Sequence, residues 1–173
     1  MVMVTLGTGV GGGIILDGRI LVGVHGIAGE IGHLIVNEEE TEVCGCNRRG
    51  CLEQYASATG IVRLAKRKLE NCEEVTILQK DSVTAKDVWD AVKAGDEVAI
   101  EIAEQFGSIL GKGLAVVASV VNPEIFVIGG GVSNEGENLL APLRVVVEKE
   151  KIVEPEVIKE EVSKEGYVLT ETV

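Results

Sequence analysis

Apolar and polar residues follow different patterns in the two parts of the chain. In the first 60 residues, short apolar runs separated by glycines predict strands over 2–6, 14–16, 20–22 and 34–36. Asp17-Gly18 lies between the second and third runs and is typical of a two-residue hairpin turn. An acidic loop is expected over 37–42. The first third of the chain is therefore predicted to consist of strands and turns.

From residue 52 onward, apolar residues recur at the helical period of about 3.6 residues. This pattern predicts helices over 55–70, 86–94, 96–121 and 134–151, with strands over 125–128 and 167–172. Thr84 and Asp87 supply a capping box for the second helix, and Gly95 ends it. Strands therefore come first in the predicted order and are followed by helices, a further strand and a helix.

The third predicted helix carries two further signals. Gly107, Gly111 and Gly113 indicate that another backbone approaches closely, and Pro123 enforces the end of the helix. Over 116–121 the helix is apolar on all sides, which predicts that its last turns are buried.

The first predicted helix has a basic face that consists of Arg63, Lys66, Arg67 and Lys68. Such a stripe is usually a solvated helix surface, and we interpret it in that way. His25 is interpreted as a loop residue, and Cys72 as a small buried residue.

Composition restricts the class of protein. The chain has 173 residues with 16 basic and 28 acidic side chains, so its net charge is −12. This acidity argues against nucleic acid or an anionic membrane as the main partner, because both need a concentrated basic surface. The longest apolar run is far shorter than the ~18 residues that span a bilayer. With no signal-peptide pattern at its start, the sequence predicts one soluble cytoplasmic domain over 1–173.

Glycine is over-represented, at 22 of 173 residues. Gly7-Thr8-Gly9-Val10-Gly11-Gly12 matches G-x-G-x-x-G, but a strand follows it instead of a helix, so the dinucleotide-binding interpretation fails. The remaining strand–glycine turn–strand hairpin can present backbone N–H groups and the Thr8 hydroxyl to phosphate oxygens. The alternative is a bulged hairpin without a ligand.

Three thiols lie within eight residues, at Cys44, Cys46 and Cys51, and His33 precedes them. A reducing compartment disfavours disulfides. Three thiolates and one imidazole complete a tetrahedral zinc shell, which is structural because it leaves no position for water. Redox-active or merely buried thiols are the alternatives.

Two carboxylates flank this cluster, at Glu30 and Glu53. Zinc on one ring nitrogen of His33 would leave the other as a positioned N–H. Two carboxylates and a fixed imidazole suit a polyhydroxylated ligand. The alternative for each glutamate is an ordinary exposed charge.

Four segments together resemble the ROK family of sugar kinases and repressors, and its bacterial glucokinases most closely. They are 6–13, Ala28-Gly29-Glu30-Ile31-Gly32-His33, the Cys44–Cys51 block with Leu52-Glu53, and 128–133. The resemblance covers residues 2–149, and 150–173 form a divergent tail. Asn47 departs from the pattern, since the family usually has glycine there.

The resemblance implies a role for each group of candidate residues. The implied nucleotide-binding residues are Thr8, Gly9, Gly129, Gly130 and Gly131. The implied sugar-binding residues are Glu30, His33 and Glu53. The implied zinc ligands are His33, Cys44, Cys46 and Cys51.

The resemblance also implies an α/β, actin/hexokinase-like (ribonuclease H-like) fold with a mixed sheet, flanking helices and a Cys₃His zinc site. Its implied activity is ATP-dependent phosphorylation of a hexose, glucose to glucose 6-phosphate, with Mg²⁺, in a homo-oligomer (dimer or tetramer). The alternative is a non-catalytic sugar-sensing or zinc-stapled assembly module related to ROK repressors.

No catalytic residue is assigned within the chain. In the family, a first phosphate loop and the general-base aspartate come before the position of Val2, so the general base is expected upstream of Met1. The chain is therefore expected to be the C-terminal domain of a kinase and to be nearly inactive alone.

Overall fold

A five-stranded mixed sheet is the framework of the protein, seen in a computed structural model that describes residues 1–149 and 167–170. The strands are β1 (Val2–Leu6), β2 (Val10–Leu16), β3 (Arg19–Ile20), β4 (Ile125–Gly129) and β5 (Tyr167–Thr170), in the order β3-β2-β1-β4-β5. Strand β1 is antiparallel to β2 and parallel to β4, and β5 is antiparallel to β4. The predicted mixed sheet is confirmed.

Four helices accompany the sheet. They are α1 (Ala58–Glu70), α2 (Ala85–Lys93), α3 (Glu97–Val121) and α4 (Glu137–Lys149). Single 3₁₀ turns occur at Ile31–His33, Leu52–Gln54 and Gly131–Glu135. The predicted end of the last helix at 151 and most of the charged tail lie outside the described residues.

Local capping decides where the helices begin. The predicted capping box of α2 is present, with the Thr84 and Asp87 side chains each accepting the other's backbone N–H. The predicted start of α1 at 55 is wrong, because the Ser57 hydroxyl accepts the Gly60 N–H and caps the helix only there. Asn122 adopts the left-handed conformation after α3, directly before Pro123.

One hydrophobic core joins one face of the sheet to the helices. Along β1 the residues alternate between buried and exposed, with Val2, Val4 and Leu6 fully buried. Phe106 of α3 packs edge-to-face on Trp89 of α2, with ring centroids 5.7 Å apart. The chain therefore buries a core large enough to position loops at the edge of the sheet.

Strand β3 covers Arg19–Ile20 rather than 20–22, and the strands differ from the prediction at two further places. Strand β2 begins at Val10 rather than at 14, because Gly11, Gly12 and Gly13 pair with β1 in the antiparallel ladder. The predicted strand over 34–36 is wrong, since only an isolated bridge between Ile35 and Cys51 forms there. The glycine-rich loop is therefore shorter than expected and consists of the turn between Leu6 and Val10.

The burial predicted for the last turns of α3 is also wrong. Val116 is 52% exposed and Val120 is 81% exposed, because the helix packs its other side into the core. By length and composition α3 could cross a membrane, but half of its most apolar window is buried. Its contacts with α1, α2 and α4 are those of a core helix.

Close packing of α3 on α4 confirms the predicted backbone approach at Gly107, but not at the other two glycines of α3, which meet only side chains. A Cβ atom at Gly107 would lie 2.5 Å from Pro142 Cβ and 3.2 Å from the Leu143 backbone nitrogen. At Gly113 it would lie 2.8 Å from a Leu52 methyl group. Glycine at these positions therefore sets the distance between elements.

We predict that Gly107→Ala destabilises the protein. Overpacking costs about 1–3 kcal/mol, and the gain in helix propensity returns only about 1 kcal/mol. The net loss, up to about 2 kcal/mol, is measured by urea unfolding. Lys112→Ala, at an exposed position of the same helix, is the control and should change stability little. A Gly107→Ala protein more stable than the wild type would contradict the packing argument.

Candidate metal centre and ligand site

The turn that carries Glu30 and His33 packs directly on β2. A Cβ atom at Gly32 would lie 2.1 Å from the Val10 carbonyl oxygen, and one at Gly12 would lie 2.4 Å from the Gly29 carbonyl oxygen. Only glycine therefore permits this approach. Glu30 is the cap residue directly before the 3₁₀ turn Ile31–His33, and the His33 N–H donates to its carbonyl oxygen at 3.1 Å.

The three clustered cysteines lie in and beside a short hairpin. Val43 bridges Arg49, and the Cys44 N–H donates to the Arg48 carbonyl oxygen at 2.7 Å. Asn47 occupies a left-handed position in the loop, with φ of 64°. Asparagine tolerates that conformation better than most residues, so the departure at Asn47 leaves the loop intact.

The predicted donor set comes together in space. The donor atoms of His33, Cys44, Cys46 and Cys51 all lie within 4.8 Å of one another. The Cys46 and Cys51 sulfurs are 3.5 Å apart, and Cys44 Sγ is 3.9 Å from His33 Nδ1. A tetrahedral zinc ion with bonds of about 2.3 Å to sulfur has S···S edges of about 3.8 Å. The donors therefore fit zinc, with His33 Nδ1 facing the thiols.

The thiols differ in acidity. Hydrogen bonding from the Arg48 backbone lowers the pKa of Cys46 to about 6. Burial raises the pKa of Cys51 to about 12 and also raises the pKa of Cys44. Without metal at neutral pH, Cys46 is therefore mainly a thiolate and the other two are thiols.

Glu53 lies between the metal donors and the glycine loop. Its Oε1 atom is 3.9 Å from His33 Nδ1 and 3.5 Å from Cys44 Sγ. Its Oε2 atom accepts the Val10 N–H at 3.3 Å, and a Cβ atom at Gly9 would lie 2.2 Å from Oε2. Glu53 therefore connects the cysteine–histidine cluster to the glycine loop. The sequence did not reveal this connection, because the two segments are about 40 residues apart.

The glycine loop is fixed by the start of α1. The Ala58 N–H donates to the Gly7 carbonyl oxygen at 2.8 Å, and the Thr59 hydroxyl donates to the Thr8 carbonyl oxygen at 2.7 Å. Within 1–149 and 167–170, the N–H groups of Thr8 and Gly9 have no hydrogen-bond partner. Two such N–H groups in one tight turn form a concave site for an anion.

The second glycine turn lies beside the first. Strands β1 and β4 are parallel, so Gly129 at the end of β4 and the loop after β1 are at the same edge of the sheet. Gly130 has φ of 89°, and a Cβ atom there would lie 2.5 Å from the Leu6 carbonyl oxygen. Ligands of open α/β sheets bind at this carboxyl edge.

The first residue of the chain takes part in the sheet and not in the candidate site. The Met1 amino group donates to the Ile15 carbonyl oxygen at 3.1 Å, which extends the pairing of β1 with β2. Because β1 runs from Val2 to Leu6, Met1 is at the opposite end of that strand from the glycine loop. Met1 is therefore no substitute for the general base, which is expected upstream of Met1 and stays a prediction.

The sequence interpretation missed a buried ion cluster. Arg63 and Arg67 of the basic face pair with Glu40 and Glu42 in the acidic loop, so the solvated-face interpretation is wrong for these two arginines. Hydrogen bonds from Arg67 hold the pKa of the Glu40 carboxyl far below its usual range, so Glu40 is ionised. The opposite charges of the loop and the helix were the available signal. His25 is exposed in a loop as predicted, and Cys72 is only half-buried.

Comparison with known proteins places these residues in a family context. A family model described as ROK family matches residues 1–167, past the end of the motif resemblance at 149. The glucokinase of Halalkalibacterium halodurans is 47% identical over 148 residues, which are 83% of this chain and 45% of that protein. The glucokinase of Thermotoga maritima is 38% identical over 158 residues, which are 89% of this chain and 48% of that protein.

A solved structure agrees with the sequence relatives. A ROK family glucokinase from Streptomyces griseus, crystallised with glucose and AMPPNP, is similar with a TM-score of 0.78 and 37% identity. The similarity covers 86% of this chain and 50% of that one. The chain spans about half the length of the curated relatives it matches.

We predict that the purified chain binds one zinc ion and releases about two protons per ion near pH 7.5, because Cys44 and Cys51 are thiols and Cys46 is a thiolate. Zinc affinity should then rise about 100-fold per pH unit between 7 and 8. Titration calorimetry in buffers of different ionisation enthalpy measures the number of protons.

Cys51→Ser should remove this binding, whereas Cys72→Ser is the matched control and should leave it unchanged. A folded chain without zinc affinity would contradict the metal centre.

Proposed function

The chain belongs to the ROK family, and on that premise we propose that it is part of an ATP-dependent hexose kinase that converts glucose to glucose 6-phosphate. Glucokinases are among its relatives, which supports sugar phosphorylation at the level of the family. The preference for glucose and the kinase activity of this chain go beyond that family-level support and are our proposal. A cytoplasmic location and a homo-oligomer, a dimer or tetramer, remain predictions from the resemblance.

The observation that carries the proposal is the position of Glu53. One carboxylate oxygen faces His33 and Cys44, and the other accepts the Val10 N–H beside the glycine loop. A kinase must hold its acceptor hydroxyl next to the transferred phosphate. Glu53 contacts both the proposed sugar ligand His33 and the proposed phosphate loop, so a sugar bound to it would lie next to that loop.

Glu30, His33 and Glu53 are the proposed sugar ligands. Carboxylate oxygens accept hydrogen bonds from sugar hydroxyls, and such bonds to a charged group are among the stronger ones. With Nδ1 directed at the thiols, His33 has Nε2 left for a hydroxyl. The zinc ion supplies rigidity and no reactive position.

Thr8 and Gly9 are the proposed ligands of the ATP phosphates. Their N–H groups are unpartnered among the described residues, the Thr8 side chain is exposed, and the loop that carries them lies at the carboxyl end of β1. Gly129, Gly130 and Gly131 lie beside this loop and are the proposed contact for adenosine. The ATP analogue in the related glucokinase structure supports a nucleotide ligand of this kind.

Phosphoryl transfer also needs a carboxylate that accepts the hydroxyl proton, and charge neutralisation at the phosphates, for which Mg²⁺ is the proposed ion. The family resemblance assigns the general base, upstream of Met1, and a further phosphate loop to the half of the relatives that this chain does not match. Without a general base the rate falls by about 10²–10⁴-fold. The non-catalytic alternative is not favoured, since the relatives described above are glucokinases.

We predict that Glu53→Gln weakens glucose binding by about 10–100-fold, because hydrogen bonds to a charged group contribute about 1.5–3 kcal/mol. Titration calorimetry on the purified chain measures the affinity. Glu38→Gln is the control, since Glu38 is exposed and lies outside the site. Equal loss in both variants, or no loss in Glu53→Gln, would contradict the assignment of Glu53.

The reaction itself is tested with 6-deoxyglucose, which keeps the ring hydroxyls but lacks the acceptor hydroxyl at carbon 6. Glucose and 6-deoxyglucose should bind with similar affinity, and only glucose should raise ADP formation from ATP in a coupled assay. We expect turnover by this chain alone to be slow. Binding of glucose without any ATP binding would contradict the kinase and favour a sugar sensor.

A further inference from the structure

The Glu40 carboxylate is the centre of a buried polar cluster between α1 and the loop before the cysteines. Its side chain is only 2% exposed. A carboxylate has about four acceptor sites, and buried carboxylates need partners for all of them. Here the donors come from both the loop and the helix.

The loop side of the cluster is held by backbone groups. Glu40 Oε1 accepts the Thr41 N–H at 2.9 Å and the Glu42 N–H at 3.0 Å. These bonds curl residues 40–42 around the carboxylate. If the backbone moved away, the buried carboxylate would therefore lose two of its hydrogen bonds.

The other side consists of two arginines of α1 and of Tyr55, which lies just before that helix. Arg67 donates to both oxygens of Glu40, at 3.1 and 3.0 Å, and Arg63 is 2.9 Å from Oε2. The Tyr55 hydroxyl donates to the same Oε2. A forked guanidinium fixes direction as well as distance, so α1 and the loop are locked in register.

The cluster is directly connected to the metal donors. Glu42, paired with both arginines, is two residues before Cys44. The Gln54 amide donates to the Glu42 carbonyl oxygen at 3.1 Å and accepts the Cys51 N–H at 3.1 Å. Cys44 and Cys51 are therefore both attached to segments that the cluster holds.

We propose that Glu40, Arg63 and Arg67 are positioning residues of the zinc centre, which hold the loop of Cys44 and Cys51 in the geometry that binds the metal. The inference rests on the zinc centre proposed above. Groups that orient metal ligands without touching the metal typically contribute 10–100-fold to metal affinity, roughly. The basic face of α1 therefore serves the site.

The test compares Arg67→Ala with Lys66→Ala. The Arg67 side chain is 40% exposed, so the fold should tolerate its removal. A change of Glu40 is avoided, because it would leave two arginines without their shared partner. Lys66 is exposed on the same helix, and Lys66→Ala removes one positive charge, as Arg67→Ala does. Zinc affinity is measured by competition with a chromophoric chelator. We expect at least about 10-fold weaker binding for Arg67→Ala and wild-type binding for Lys66→Ala.

Two further measurements separate positioning from general stability. The Tm of each protein is recorded with and without zinc, and a residue that only stabilises the fold lowers both values and leaves their difference unchanged. A positioning residue makes the zinc-dependent rise in Tm smaller. Co²⁺ in place of zinc should show weaker ligand-field bands in Arg67→Ala, with partial recovery in Arg67→Lys, which keeps the charge but not the fork.

Different outcomes overturn different claims. If wild-type protein binds zinc and Arg67→Ala binds it equally tightly while losing stability, the positioning role is wrong and the metal centre stands. If Lys66→Ala weakens zinc binding as much as Arg67→Ala, the effect is one of overall charge and the inference fails. If folded wild-type protein binds no zinc, both the metal centre and the inference fail.

Discussion

Strand β2 and the turn that carries His33 touch backbone to backbone, and the candidate site depends on that contact. A side chain at Gly32 would occupy the position of the Val10 carbonyl oxygen. The contact fixes the position of the His33 imidazole relative to Val10, whose N–H donates a hydrogen bond to the Glu53 carboxylate. Because β2 pairs with β1, and β1 with β4, the same contact relates His33 to both glycine turns. Hydrogen-bonded ladders transmit this geometry with little freedom, since each strand has a single register.

Residues 35–50, the first part of the connection between this turn and α1, have little hydrophobic material to stabilise them. Between Ile35 and Gly50, only Glu40, Cys44 and Gly50 are buried among the described residues. A loop of this kind loses conformational entropy on folding without a matching gain from apolar burial. Ion pairs hold one end of this segment, and the proposed zinc ion would hold the other, in place of a hydrophobic core. Both kinds of contact are directional, which suits a loop that must hold an imidazole and a carboxylate in fixed positions.

Features that depend on the type of a residue and its close neighbours could be predicted from the sequence, whereas features that depend on tertiary contacts could not. The capping box at Thr84, the close approach at Gly107 and the cysteine–histidine donor set were predictable because each depends on residue types with few other uses. The pairing of Glu40 with Arg67 spans 27 positions and depends on the tertiary fold. The opposite charges of the acidic loop and the basic helix were a signal for it, but they do not specify which residues pair. The exposure of Val120 depends on which side of α3 faces the core, and composition does not specify that.

The acidity of the chain constrains how it can hold a phosphate. Several cations are already neutralised, since Arg67 pairs with Glu40, Lys68 with Glu101 and Lys93 with Glu135. Charges beyond about 8 Å are largely screened at physiological ionic strength, whereas an N–H at hydrogen-bond distance acts unscreened. The proposed anion site therefore consists of backbone groups of glycine turns, where no side chain would block the approach of phosphate oxygens. This accounts for the glycines at the carboxyl edge, while those at 12 and 32 serve the packing of the His33 turn.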